Sequence, residues 1–251
     1  MRRGGIGRRV RLATVAAAVV LVLGIAPAAA QDISINFGQG TGLTERVLQL
    51  IALLTVLSLA PSILVMVTCF TRIVVVLSLL RTALGTATAP PNSVLVSLAL
   101  FLTAFVMGPA FQRAYDIGVR PLMNNEITLE QAFDRASGPF HDFMIKNVRD
   151  KDLQLFIDLS RQPKPATADD VPLRILVPAF MISELKRAFE IGFLLFLPFL
   201  IIDMVIASIL MSMGMMMLPP VVVSLPFKLI FFVLVDGWSL VAGSLVQSYG
   251  Q

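Results

Sequence analysis

Four long apolar runs constrain this chain more than any other feature. They cover about Val47–Leu84, Val94–Phe111, Ile191–Leu218 and Val221–Val246. The first is broken by Pro61, Arg72 and Arg81, and the second carries no charge. The third holds only Asp203, and the fourth holds Lys228 and Asp236. A run of about 18 or more apolar residues is long enough to cross a bilayer as a helix. Pro90-Pro91 divides the first two runs and Pro219-Pro220 the last two, so they read as two hairpin-like pairs. The chain of 251 residues is 57% hydrophobic and 14% charged, where soluble domains carry about 25% charge. A core of this size cannot hide so much apolar surface. The expected fold class is therefore all-α: hydrophobic helical hairpins in a membrane-associated protein.

The N-terminus reads as an address. Residues 1–30 contain five arginines and no acid, then an apolar run from Leu12 to Ile25, then Pro27-Ala28-Ala29-Ala30. This is the layout of a secretory signal peptide, with cleavage expected before Gln31. Its loss leaves 15 basic against 16 acidic residues, a net charge near −1 instead of +4. Nucleic-acid binding thereby loses its support. One cysteine, Cys69, rules out an internal disulfide and a cysteine cluster, and one histidine, His141, rules out a histidine-rich metal site. No cofactor or metal is expected.

The mature chain divides into three parts: 31–112, the first apolar pair; 113–177, a polar helical region expected on the periplasmic side; and 178–251, the second apolar hairpin with a methionine-rich loop. Thr128-x-x-Gln131 fits a capping box opening a helix to about Val148, with Gly138-Pro139 as an expected break. Asp150–Ser160 reads as a short amphipathic helix with Leu153, Phe156 and Ile157 on one face. Arg161–Pro172 holds three prolines and reads as a loop. Four crossings are expected, with Arg72 and Arg81 near the inner connector, as the positive-inside rule prefers.

The isolated charges do not suit a simple lipid-facing bundle. Arg72 and Arg81 are nine residues apart, which on a helix places them on opposite faces, about 13 Å apart in rise. A charge at mid-membrane costs roughly 2.5–3.5 kcal/mol. Asp203 and Lys228 lie at depths of about 15 and 9 Å from the turn between their runs. They are expected to form an ion pair, more readily between subunits than within one. These groups favour helices packed into a larger protein assembly.

Met211, Met213, Met215, Met216 and Met217 place five of the chain's twelve methionines in seven residues. Methionine fills irregular core gaps. The same unbranched thioethers could also form a pliable constriction that excludes water and ions yet yields to a passing chain. Gly214, Pro219 and Pro220 keep the segment out of regular helix, which is tolerated at membrane depth where backbone lines a cavity or is buried in protein.

There is no nucleophile elbow, phosphate-binding loop or metal-ligand spacing, so an enzyme is not expected. A small-solute channel or transporter is the rival reading. It would favour inverted repeats, whereas the two apolar pairs differ in length and charge.

Three blocks carry a family resemblance: Phe70–Gly85 with Pro90-Pro91-Asn92, Phe199–Pro220, and Leu225–Trp238, joined by Ile182–Lys186. In these the chain resembles the FliP family (FliP/SctR-like) of flagellar type III secretion export-gate proteins. The resemblance implies a homo-oligomer, a pentameric ring, with FliQ-like and FliR-like gate subunits and FlhB-like and FlhA-like export proteins. It implies an entry pore for unfolded flagellar subunits at the flagellar basal body in the bacterial inner membrane, with helices lifted toward the periplasm. The family's methionine loop maps onto Met213, Met215, Met216 and Met217, with Met211 adjacent. Its charged positions map onto Glu184, Asp203 and Lys228.

Overall fold

The computed structural model describes residues 43–250 apart from Ala87, Lys164, Ala168, Asp169 and Met216. The signal segment and its cleavage point lie outside the described residues. Among the described residues the regular structure is helical: α1 (Leu43–Val67), α2 (Phe70–Leu84), α3 (Asn92–Ala114), a π-helical turn (Tyr115–Val119), α4 (Arg120–Met123), α5 (Leu129–Asn147), α6 (Asp150–Ser160), α7 (Leu173–Ser212), α8 (Pro220–Leu234) and α9 (Gly237–Gln247). One compact unit begins at Thr55, within α1, and the contacts below belong to it.

The first apolar run is two helices. The chain breaks at Thr68-Cys69 because Thr68 Oγ1 accepts the Phe70 N–H at 3.4 Å, and Thr71 Oγ1 reaches back to the Val65 carbonyl at 3.3 Å. Side-chain hydroxyls here compete with the helical ladder. The restarted helix α2 ends on Gly85, which closes it with a φ of 79°. It forms the centre of the fold, with Ile73, Val76, Leu77 and Leu80 essentially inaccessible. Around it pack Ala99 and Met107 of α3, Ala188 and Phe199 of α7, and Leu245 of α9.

The capping box forms as the sequence predicts. Thr128 Oγ1 accepts the Gln131 N–H at 3.4 Å and Gln131 Oε1 accepts the Thr128 N–H at 3.2 Å. Thr128→Ala should cost about 1 kcal/mol of stability, read as a lower melting temperature with the helical circular dichroism retained. The expected break at Gly138-Pro139 does not occur, and α5 runs through Pro139 to Asn147. A proline inside a helix removes one ladder hydrogen bond and crowds the preceding turn, at a cost of about 3 kcal/mol that packing must offset. Aromatic contacts on both sides hold the helix: Phe140 meets Phe111 edge-on at 5.6 Å, and Phe143 meets Phe180 at 5.9 Å. Helix α6 occupies the predicted residues.

Neither the expected boundary at 177/178 nor the start of an apolar run at Ile191 marks a break. One helix of 40 residues, α7, begins after Pro172 and runs to Ser212. Its length of about 60 Å is twice the roughly 30 Å hydrocarbon core of a bilayer, so at most part of it can be immersed. The fourth run is also not one straight helix. Helices α8 and α9 meet at a bend of 62°. Asp236 takes a left-handed φ of 50° there. A Cβ on Gly237 would lie 2.1 Å from the Phe232 ring, so the turn admits only glycine without displacing that ring. Trp238 meets Phe232 edge-on at 5.3 Å and fixes the corner.

Four crossings were expected. Among the described residues two helical stretches, Asn92–Met123 and Leu173–Ser212, are long and apolar enough to span a membrane, or three if the bent pair α8–α9 counts as one. Much of the outer surface is apolar, including Phe101, Phe105, Phe193, Leu194, Val222 and Leu234. A soluble monomer does not present such patches, so lipid or protein must cover them.

Candidate functional site

The methionine segment is a short loop between α7 and α8, and both of its ends are built. At the end of α7 the Met215 N–H bonds the Leu210 carbonyl at 3.0 Å, and the Gly214 N–H bonds the Met211 carbonyl at 3.1 Å. This is a Schellman closure, with Gly214 at the left-handed position, φ 75°. Pro219 caps α8 in extended conformation and Pro220 takes its first position, where a missing N–H costs nothing. Met211, Met213 and Met215 are exposed, and Met217 is 98% exposed. Met216 lies outside the described residues. The loop therefore holds flexible thioethers outward on a backbone stopped at both ends.

Below the loop sits a polar cluster. Lys228 Nζ donates to Asp203 Oδ2 at 2.6 Å and to the Ala83 carbonyl at 3.1 Å. Ser224 Oγ donates to the other oxygen, Asp203 Oδ1, at 2.5 Å. Ser224 and Lys228 are four residues apart on α8, so one helix face presents both donors. Ala83 lies in the last turn of α2, where carbonyls lack helical partners and a cation is favoured. Lys228 is 2% exposed, so its ammonium depends on these acceptors. The expected Asp203–Lys228 pair is thus present, but within one chain instead of between copies. The long lysine side chain spans the difference in depth, and its second contact on α2 ties it into its own fold. Ser224 and Ala83 were missed from sequence. Only the i, i+4 spacing of Ser224 and Lys228 hinted at the first.

A second cluster is buried more deeply. Arg72 Nε donates to Glu184 Oε2 at 2.9 Å, and Arg72 Nη2 donates to Glu184 Oε1. The Tyr249 hydroxyl also donates to Oε2. Arg72 Nη1 reaches Ser248 Oγ at 3.0 Å, and the guanidinium lies 3.9 Å from the Tyr249 ring centroid. Burial first, and the neighbouring Glu184 next, push the Tyr249 phenol well above its ordinary value, so it stays a donor. Glu184, expected as an intersubunit or structural charge, sits wholly inside one chain with both oxygens engaged. The cluster fastens α2, α7 and the residues after α9 together.

Arg81 faces elsewhere. Its Nη1 donates to Asn92 Oδ1 at 2.6 Å and to the Pro90 carbonyl at 3.3 Å. It staples the end of α2 to the start of α3. The opposite-face geometry of the two arginines thus gives them two different structural duties. Elsewhere Ser183 Oγ accepts the Arg149 N–H at 3.1 Å and donates to Asp152 Oδ2 at 2.8 Å, pinning α6 to α7. Among the described residues no group of three or more His, Cys, Asp or Glu side chains could hold a metal ion.

The geometry is that of a membrane-associated helical protein with an exposed methionine loop and internal ion pairs. The model of the FliP family matches residues 53–245. The chain is 63% identical over 243 residues to the flagellar biosynthetic protein FliP of Caulobacter vibrioides, covering 96% of this chain and 91% of that protein. It is 58% identical over 201 residues to FliP of Bacillus subtilis, covering 80% and 91%. It is 48% identical over 235 residues to FliP of Aquifex aeolicus, covering 93% and 98%. With the match spanning nearly all of the described fold, including the methionine loop and both buried ion pairs, the chain belongs to the FliP family of flagellar biosynthetic proteins, components of the flagellar export apparatus.

Proposed function

We propose that this chain is a core pore-forming subunit of the flagellar type III export gate in the bacterial inner membrane, where it passes unfolded flagellar subunits outward. Copies assemble as a pentameric ring with FliQ-like and FliR-like subunits, next to FlhB-like and FlhA-like proteins, with much of the ring toward the periplasm. Its part is conformational and not catalytic. The observation that carries this reading is the methionine loop: apolar side chains held outward on a backbone closed by Gly214 and Pro219-Pro220. An apolar side chain left in water forgoes its burial energy, roughly 1.5–3 kcal/mol for a methionine. Several such groups side by side gain by meeting their counterparts from other copies. Thioethers facing one another across a ring exclude water and ions, and their unbranched stems yield to a polypeptide of any sequence.

The test replaces Met211, Met213, Met215, Met216 and Met217 together by glycine in cells making the whole export apparatus. The expected result is a severalfold rise in membrane permeability to ions, with the protein still accumulating. Unchanged permeability with normal accumulation would sink the gasket. Purified chain alone in liposomes that passed a small solute selectively would favour the channel reading instead.

A further inference from the structure

The structure holds a narrow apolar slot between α7 and α9 that the gate reading does not use. It consists of two adjoining cavities of about 200 and 110 Å³. Leu195, Leu240 and Val241 line both, so the two lie side by side along α7 and α9. It lies along the apolar half of α7 and against α9, in segments that qualify as candidate membrane spans. Its walls are apolar except at one end, where Ser244 and Ser248 stand beside Ile191.

The stripe of α7 that lines the slot ends in a cation. Arg187, Ile191 and Leu195 follow one another at four-residue spacing, so they share one face of the helix, with Arg187 one turn, about 6 Å, beyond Ile191. Lys186 is exposed and Arg187 half-buried. Among the described residues neither is found in an ion pair. The nearby carboxylate, Glu190, faces Arg149, with Nη1 3.8 Å away. Beyond the polar end of the slot the stripe therefore carries an arginine without a carboxylate partner, and the wall at that end carries the exposed Ser244.

We infer that this slot binds one acyl chain of an anionic phospholipid, with the headgroup phosphate on Arg187. An apolar slot with an arginine one turn beyond its end matches an amphiphile with a negative head, and basic pockets between membrane helices take such headgroups. A partner helix fits less well. Its diameter of about 10–12 Å needs a broad seat, which two cavities of 200 and 110 Å³ do not provide. The proposal stands apart from the export-gate reading.

The test is native mass spectrometry of the full chain in neutral detergent. Phosphatidylglycerol is titrated against phosphatidylcholine with the same acyl chains. The wild type should retain one phosphatidylglycerol in preference. Arg187→Gln should weaken that binding by about tenfold, as loss of a hydrogen bond to a charged group does, and Arg187→Lys should keep most of it. Ser244→Phe, at an exposed wall position, should displace both lipids. Should that variant fail to fold, the comparison of glutamine with lysine at 187 still decides the matter. Equal retention of both lipids by the wild type, or unchanged phosphatidylglycerol binding in Arg187→Gln, overturns the proposal. So does a photo-crosslinker at position 244 that captures a polypeptide in cells, since a partner helix would then fill the slot.

Discussion

Glu184→Ala should destabilise this protein by about 3–5 kcal/mol, because it leaves a buried arginine without its counter-charge. Arg72 is 1% exposed and cannot turn to water. Both forks of its guanidinium contact with the carboxylate vanish together, and Tyr249 loses the acceptor for its hydroxyl. The expected reading is a melting temperature in detergent lower by roughly 10 °C, given about 2–4 °C per kcal/mol for a chain of this size. Since whole domains are stable by only about 5–15 kcal/mol, failure to accumulate in cells is the natural companion result. Tyr249→Phe removes one hydrogen bond to a charged group and should lose about 1.5–3 kcal/mol. A double replacement by apolar residues, Arg72→Met with Glu184→Leu, should recover much of the loss, as removing both charges also removes their desolvation cost. Melting of Glu184→Ala within a degree or two of wild type would show that the pair contributes little. Deleting the residues from Ser248 onward should mimic the tyrosine variant and add the loss of the Ser248 contact.

The second large effect concerns Asp203 and Lys228. Asp203→Ala leaves an ammonium that is 2% exposed with only the Ala83 carbonyl, and should cost about 3–5 kcal/mol. Lys228→Ala should cost less. Asp203 keeps the Ser224 hydroxyl, and its side chain is 23% exposed, so some water reaches it. Two further results follow from the pair lying within one chain. Co-expression of the two single variants should not restore function, because neither copy regains both partners. Restoration by mixing would place the pair between copies. The charge swap Asp203→Lys with Lys228→Asp should rescue only in part. A carboxylate at 228 would face the Ala83 carbonyl at the negative end of α2, where a cation is preferred. Full recovery of accumulation by the swap would mean that the Ala83 contact contributes nothing.

The Asp203–Lys228 pair also explains how the methionine loop is carried. Asp203 lies on α7 before the loop and Lys228 on α8 after it, so the cluster clamps the two helices that present the loop. Its third contact roots that clamp in α2, the most buried helix of the fold. The loop itself needs no internal packing, which leaves its thioethers outward.

Some of this was legible in the residues alone, and the reason is locality. The apolar runs, the capping box at Thr128 and the bounds of α6 depend on residues within a few positions of one another. So does the stop at Gly214 and Pro219-Pro220. That Asp203 and Lys228 would pair was also legible, because few other partners were at hand, but their meeting within one chain instead of between copies was not. Tertiary structure decided the rest. Arg72 and Glu184 are 112 residues apart, and nothing near either one names the other. The unbroken passage of α5 through Pro139 and the full length of α7 ran against local expectation, because contacts from other helices outweighed the local preference. The bend at Asp236 brings Gly237 so close to the Phe232 ring that a Cβ would not fit, an approach that no spacing reveals. The sequence by itself determined that apolar helices would gather and where charges would interrupt them. Only their packing decided which charges meet, because a buried ion takes whichever counter-ion the neighbouring helices bring within hydrogen-bond reach.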